Sequence, residues 1–158
     1  MRRVRKVRGI MLKDIAALHT DSESGVTEIL YADGTSQRVS EPAEVLFDRW
    51  CTAFGSTMKG RFEAVRKLTG VRTKLPLLIR ETDVLLFYPI RSMYSKEDNY
   101  WINDNLTAAV LPERRTAVHL IFLNGFQMEV PCDVRIIRRQ QEICRKIRNL
   151  LAEADREL

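Results

Sequence analysis

Two glycines in residues 54–76 divide the first half of the chain into separate elements. The stretch reads FGSTMKGRFEAVRKLTGVRTKLP. Gly55 follows one apolar helical repeat and Gly70 follows a second, shorter one. Glycine directly after a helix readily adopts the left-handed conformation that ends it. Pro76 then opens a run of short apolar segments. The stretch therefore predicts two helices joined by a glycine-hinged loop and followed by a sheet.

The first helix is predicted to end at about residue 54. Ser40 is a candidate N-cap and Pro42 falls in the first turn. After a loop at residues 56–59, the second helix covers about residues 61–69. A helix-turn-helix motif normally has a turn of about three to four residues. The longer gap expected here gives that motif only weak support.

The rest of the chain consists mostly of short β-prone runs. Strands are predicted at residues 10–19, 26–31, 35–39, 77–79, 84–88, 100–103, 106–111, 116–123 and 126–130. Asp33-Gly34 and Asn124-Gly125 predict two hairpins with type I′ turns, and Pro89 should end its strand. The pattern indicates an α+β fold: an N-terminal β-hairpin region, two helices, an antiparallel sheet or partial barrel, and a C-terminal helix.

That last helix is predicted over about residues 133–153. Ile136, Ile143 and Leu150 are seven residues apart, and a parallel row accompanies them. This wide apolar stripe has two interpretations. It packs on the sheet, or it completes a dimer.

Positive charge is concentrated in residues 59–80, where seven cations and one acid give a local balance of +6, against +5 for the whole chain. A positive excess beside a hydroxyl-bearing loop is typical of a phosphate-contacting surface. A solvated helix face is the alternative. A second basic stretch, residues 1–9, is either a DNA-tracking arm or a frayed terminus.

Several function classes lack support in the sequence. It contains no P-loop, GxGxxG, HExxH or GxSxG motif, so we expect no enzyme, cofactor, catalytic residue or metal site. Three cysteines without a CxxC pair indicate reduced thiols. The longest apolar run, residues 84–90, is too short to cross a bilayer, and no signal peptide follows the basic start. RNA binding is disfavoured because no run of exposed aromatic residues is apparent.

An ordered set of residues resembles the ComK family, the competence transcription factors of Gram-positive bacteria. The resemblance covers about residues 45–151. Its residues are Trp50-Cys51, Phe54-Gly55-Ser56, Gly60-Arg61, Thr69, Lys74-x-Pro76, Leu86-Phe87-x-Pro89, Ser92, Trp101-Ile102, Phe122-x-Asn124-Gly125 and Met128-Glu129. The resemblance implies one ComK-like DNA-binding domain over residues 1–158, with residues 1–9 as its basic arm.

The function implied by the resemblance is activation of competence genes through the minor groove of paired AT-rich boxes. Such proteins bend DNA and bind as dimers that pair into tetramers. The DNA-binding residues implied by the match are Ser56, Gly60, Arg61, Thr69, Lys74 and Ser92. Lys59 and Arg91 are added from charge and location. Arg61 and Lys74 are expected to contact phosphate or enter the groove, which is narrow and strongly negative at A·T tracts.

ComK proteins usually carry a C-terminal extension through which an adaptor delivers them to a Clp protease. This sequence stops at Leu158, so we expect a version without that tail, either naturally short or trimmed, for which adaptor regulation is in doubt. The expected location is the cytoplasm, in association with the nucleoid and without membrane attachment. A protein-interaction module that keeps the fold and has lost DNA binding is the alternative function.

Overall fold

The computed structural model describes residues 11–94 and 99–156. The basic arm, residues 1–9, lies outside the described residues. The helices of the described part are α1 (Ala43–Ala53), α2 (Met58–Thr69) and α3 (Val134–Arg156). Its strands are β1 (Ile15–Thr20), β2 (Thr27–Tyr31), β3 (Ser36–Val39), β4 (Leu77–Arg80), β5 (Leu85–Arg91), β6 (Asn99–Asn103), β7 (Thr107–Arg114), β8 (Ala117–Phe122) and β9 (Gln127–Val130). The predicted α+β class is confirmed.

The strands form two antiparallel sheets. Six of them run in the order β3-β2-β1-β6-β5-β4, and the other three in the order β7-β8-β9. Within the described ranges the sheets do not close into a barrel. The six-stranded sheet therefore has two edges, formed by β3 and β4, and the β4 edge positions the candidate site.

Strand β5 is buried on both faces of the large sheet. Leu85 and Phe87 pack in one core with Phe47 of α1. Leu86 and Tyr88 point to the opposite face and pack in a second core with α3 and the small sheet. A densely apolar strand with helices or strands on both sides has this pattern, and the sequence predicted a strand at residues 84–88.

The apolar stripe of α3 packs inside its own chain. Ile137, Ile143, Cys144 and Ile147 are buried in the core that α3 shares with the two sheets. Of the two interpretations of this stripe, packing on the sheet is the one observed. Ile136, from the same stripe, remains 41% exposed and lines the candidate site.

Both predicted hairpins form, but their turns are not type I′. Such a turn needs positive φ at both central residues, whereas only Gly34 (φ 88°) and Gly125 (φ 84°) have it, and Asp33 and Asn124 do not. The amide of Gly34 donates to the Tyr31 carbonyl at 3.0 Å, and Tyr31 also pairs with Thr35. Three residues therefore separate the paired ends, and the glycine alone supplies the left-handed position that such loops require.

Helix α2 begins earlier than predicted. The side chain of Thr57 accepts from the Gly60 amide at 2.9 Å and caps the helix. Lys59 and Gly60 therefore lie in the first turn and not in a hinge loop, and residues 54–57 alone connect the two helices. For α1, Pro42 occupies the N-cap position expected for Ser40. Gly70 ends α2 in the left-handed conformation, as predicted.

Candidate nucleic-acid interface

The candidate site lies where the β4 edge of the large sheet is incomplete. Strand β4 pairs only as far as Leu77 opposite Phe87, while β6 follows β5 to Arg91 on the other side. Among the described residues, the last part of β5 thus has no strand on its outer side. Pro89 continues the strand there, against the prediction that it would end it. Proline is tolerated at an edge because no neighbouring strand needs its missing amide hydrogen.

Gln140 of α3 holds residues 72–75 beside this open edge. Its side-chain amide donates to the Lys74 carbonyl at 2.8 Å and, more weakly, to the Pro89 carbonyl at 3.4 Å. On the other side, Nε of Arg66 donates to the Arg72 carbonyl at 3.2 Å. The loop after α2 is therefore fixed to a helix from the far end of the chain.

Lys74 has an unusual backbone conformation in this loop. Its φ is 52°, in the left-handed region that few residues other than glycine adopt. Such strain persists only where surrounding contacts impose it, and it is concentrated at functional sites. The hydrogen bond from Gln140 to the Lys74 carbonyl is one such contact. The backbone of Lys74 is therefore held in place, and its side chain is exposed on the surface.

The loop, β5 and α3 enclose a cavity of about 400 Å³, which we call the basic groove. Its apolar lining consists of Phe62, Leu75, Pro89, Trp101 and Ile136. Its cations are Arg66, Arg72, Lys74 and Arg91. Thr73, Asn99 and Gln140 complete the lining. Among the residues that the structure describes, no Asp or Glu lines the groove, and the charged groups of this described lining are all cations.

The groove cations lack acidic partners among the described residues. None of the four forms an ion pair there. Arg80, by contrast, is bonded to Asp83 at 2.6 Å, and this hydrogen bond is the main cause of the lowered pKa of the Asp83 carboxyl. The groove cations therefore remain available to an anionic partner.

Two of the eight predicted residues, Lys74 and Arg91, meet in this groove. Thr69 and Ser92 are buried and make local bonds. The Thr69 hydroxyl donates to the Val65 carbonyl at 2.8 Å. The Ser92 hydroxyl accepts from the Tyr94 amide at 3.2 Å. These two side chains shape the ends of α2 and β5 and are not presented to a ligand.

The other four predicted residues lie at the opposite end of α2. Ser56, Gly60 and Arg61 line a second concavity that also contains Glu81, and Lys59 is exposed in the first turn. A helix of 12 residues is about 18 Å long. The structure therefore separates the predicted residues into two groups, one at each end of α2.

The structure disagrees with the role expected for Arg61. This residue is 8% exposed. One guanidinium nitrogen donates to Glu81 Oε1 at 2.8 Å, and another donates to the Phe54 carbonyl at 3.3 Å. A buried guanidinium that is paired with a carboxylate does not present its charge to DNA. We therefore assign Arg61 to joining α2 to the turn between β4 and β5.

Sequence reasoning missed three residues of the groove. Arg66 and Arg72 were counted as charge but were not proposed as contacts. Gln140 was not noticed, although a signal was present. It occurs between Ile137 and Ile143 on the apolar stripe of α3, and a polar residue at a core-facing position needs a hydrogen-bond partner.

The described residues offer little for catalysis. Burial raises the pKa of the Cys51 thiol to about 11 and that of Cys132 to about 12, and it also raises the pKa of Cys144. These thiols remain protonated near neutral pH and are poor nucleophiles. Within the described ranges, no group of three or more His, Cys, Asp or Glu residues could hold a metal ion. None of the described helices is long and apolar enough to cross a membrane.

Comparison with known proteins identifies a family that the chain matches over most of its length. A family model described as ComK protein matches residues 10–156. No curated protein and no solved structure matches the chain. The matched range includes both sheets, all three described helices and every residue of the basic groove.

Proposed function

Because the chain belongs to the ComK family of competence transcription factors, we propose that it binds AT-rich double-stranded DNA through the basic groove and activates competence genes. The supporting observation is the set of four groove cations without acidic partners among the described residues. Such cations neutralise DNA phosphates and release the counterions condensed on them, so binding should weaken steeply as salt rises.

The choice of AT-rich DNA rests on how cations read the minor groove. A·T tracts narrow this groove and deepen its negative potential, which attracts inserted Arg and Lys side chains. Lys74 and Arg91 are both exposed, and both line the basic groove. We assign insertion into the minor groove of DNA to Lys74, and phosphate contact to Arg66, Arg72 and Arg91.

The residues at the start of α2 have a secondary place in this proposal. Ser56 is partly exposed and Lys59 is exposed, so each can contact a phosphate about one helix length from the basic groove. The Gly60 amide is already bonded to Thr57, and the main role of Gly60 is close packing. A Cβ there would lie 3.0 Å from Ser56 Oγ.

As part of the same proposal, dimers pair into a tetramer on two AT-rich boxes, in the cytoplasm and without enzymatic activity. The protein-interaction alternative took its support from the apolar stripe of α3. That stripe is now largely buried inside the chain, which leaves this alternative without its main surface.

The test is a titration of an AT-rich duplex and a GC-rich duplex of equal length, read by fluorescence anisotropy. We expect the AT-rich duplex to bind more tightly and a minor-groove-binding drug to displace the protein. Absence of affinity for either duplex at low salt would end the proposal. If the drug does not affect binding, the protein contacts DNA outside the minor groove.

A further inference from the structure

Two buried polar atoms in residues of the groove wall have no hydrogen-bond partner among the described residues. They are the donor Nε1 of Trp101 and the acceptor Oε1 of Gln140. Trp101 is 5% exposed and Gln140 is 4% exposed. An unsatisfied buried polar group costs about 1–3 kcal/mol. A ligand that offers an acceptor to Trp101 and a donor to Gln140 would recover that cost.

The groove also has the composition of a small-molecule site. Ligand pockets typically enclose about 300–1,000 Å³ and combine an apolar lining with few polar groups. This groove encloses about 400 Å³, and the flat rings of Phe62 and Trp101 contribute to its apolar wall. Four cations surround that wall. A fitting ligand therefore has a planar, hydrogen-bonding part and an anionic part.

We infer that the basic groove binds a free nucleotide, with the base against the apolar wall and the phosphate at the cations. Base pairs of a duplex cannot enter this cavity, because they stay stacked between the two phosphate strands and expose only their edges in the grooves. A single base with its own phosphate fits a cavity of this size. The inference goes beyond DNA binding and can be tested without DNA.

Nucleotide and DNA share cations under this assignment. Lys74 and Arg91 line the cavity and are also the proposed DNA contacts. Occupancy by nucleotide therefore competes with the duplex. A protein that reads DNA through this face would bind it less well when nucleotide is abundant.

The first experiment measures binding of AMP to the full chain by titration calorimetry, with adenosine and ribose 5-phosphate as partial probes. AMP should bind, and each partial probe should bind at least about tenfold more weakly because it lacks one half of the contacts. Equal affinity for AMP and ribose 5-phosphate would overturn the assignment of the base. No measurable AMP binding by protein that still binds an AT-rich duplex would overturn the inference and leave the proposed function intact.

The second experiment uses the two tryptophans of the chain. In ¹⁵N-labelled protein each gives one indole N–H resonance. AMP should shift the resonance of Trp101. Trp50 does not line the groove but shares the neighbour Phe47 with Trp101, so its resonance should shift less and serves as the internal comparison. AMP binding with no shift at Trp101 would place the ligand elsewhere and overturn the inference.

The variant Trp101→Phe removes the unpaired donor and keeps an aromatic ring. Affinity for AMP should fall about tenfold, while affinity for ribose 5-phosphate, which carries no base, stays unchanged. Equal losses for both ligands would indicate a general packing defect and count against the hydrogen bond to the base. Arg38→Ala, on the opposite edge strand β3, is the matched control and should leave AMP binding unchanged.

Discussion

The side-chain amide of Gln140 donates to the main-chain carbonyl of Lys74 at 2.8 Å, although 66 residues separate the two in sequence. The same amide lies 3.4 Å from the Pro89 carbonyl. One residue of α3 thus fixes the loop after α2 against the open edge of β5. The position of the Lys74 cation therefore depends on a helix outside the basic segment.

Replacing Gln140 by Leu should loosen this loop with little effect on overall stability. The change removes the bond to Lys74 but also removes the unpaired Oε1, and the two effects, each about 1–3 kcal/mol, have opposite signs. We expect the free energy of unfolding to change by less than about 1.5 kcal/mol. Amide hydrogen exchange at residues 72–75 should rise, and duplex affinity should fall. The neighbouring Gln141→Leu, outside the groove lining, is the control. Unchanged exchange in the loop would show that Gln140 does not hold it.

Replacing Lys74 by Gly separates charge from backbone strain. Glycine relieves the left-handed φ of 52°, and this gain offsets its greater freedom in the unfolded chain. Lys74→Gly should therefore be as stable as the wild type or up to about 1 kcal/mol more stable. Lys74→Ala keeps the strain and should be the less stable of the two. Both lose the cation, so both should weaken duplex binding equally, measured by thermal melts and anisotropy. Unequal duplex affinities would indicate that loop geometry matters more than charge.

Replacing Arg61 by Ala should lower stability more than it weakens DNA binding. The Arg61 side chain is only 10% exposed. Its replacement by Ala removes the packing of the buried stem and the hydrogen bond to the Phe54 carbonyl, which should lower the free energy of unfolding by about 2–3 kcal/mol. Glu81→Gln should cost only about 0.5–1 kcal/mol, since Glu81 is 70% exposed and solvent screens the pair. Urea unfolding of both variants measures these two losses in the free energy of unfolding. A fully stable Arg61→Ala that has lost duplex binding would restore Arg61 as a direct contact.

Stability should fall at alkaline pH because of the buried thiols. Folding raises the pKa of Cys51 to about 11 and that of Cys132 to about 12, from an ordinary value near 9. The unfolded chain releases these protons first. The stabilisation is therefore complete below about pH 9 and is lost as pH rises towards the folded pKa values. Each thiol contributes a slope of about 1.4 kcal/mol per pH unit.

Urea unfolding at pH 8, 9, 10 and 11 tests this dependence. Cys132→Ala keeps a small buried side chain but has no thiol proton to release. The slope of the free energy of unfolding against pH should therefore be smaller by about 1.4 kcal/mol per pH unit. A slope that is the same in this variant and in the wild type would show that Cys132 is not among the titrating groups.

Features set by neighbouring residues could be predicted from the sequence. Gly70 ended α2 and the Asp-Gly and Asn-Gly pairs marked both hairpins, because these residues act through local backbone conformation. The turn type was wrong, since it depends on how many residues separate the paired strand ends. The start of α2 was also misplaced, because Thr57 caps it through a side chain that the pattern did not reveal.

The groove could not be predicted, because it is formed by contacts that are distant in sequence. It exists because β4 is shorter than β5 and because Gln140 reaches the resulting gap. For Arg61 the error is the opposite one, because the residue was predicted as a contact and is buried in the structure. As a cation in a basic segment it resembles a DNA contact, and only the folded chain brings it to Glu81. Charge in sequence predicts the neighbourhood of a site but not which cations remain exposed.

The most direct test of the central claim compares duplex binding by the wild type, the double variant Lys74→Gly/Arg91→Ala and the control Arg38→Ala, by anisotropy over a series of salt concentrations. Each phosphate contact contributes about −0.9 to the slope of log K against log salt. The double variant should therefore lose affinity for the AT-rich duplex and show a slope shallower by about 0.9, from the lost phosphate contact of Arg91, while Arg38→Ala binds nearly as the wild type does. A double variant that binds with the affinity and salt slope of the wild type would contradict the assignment of the basic groove as the DNA-binding surface.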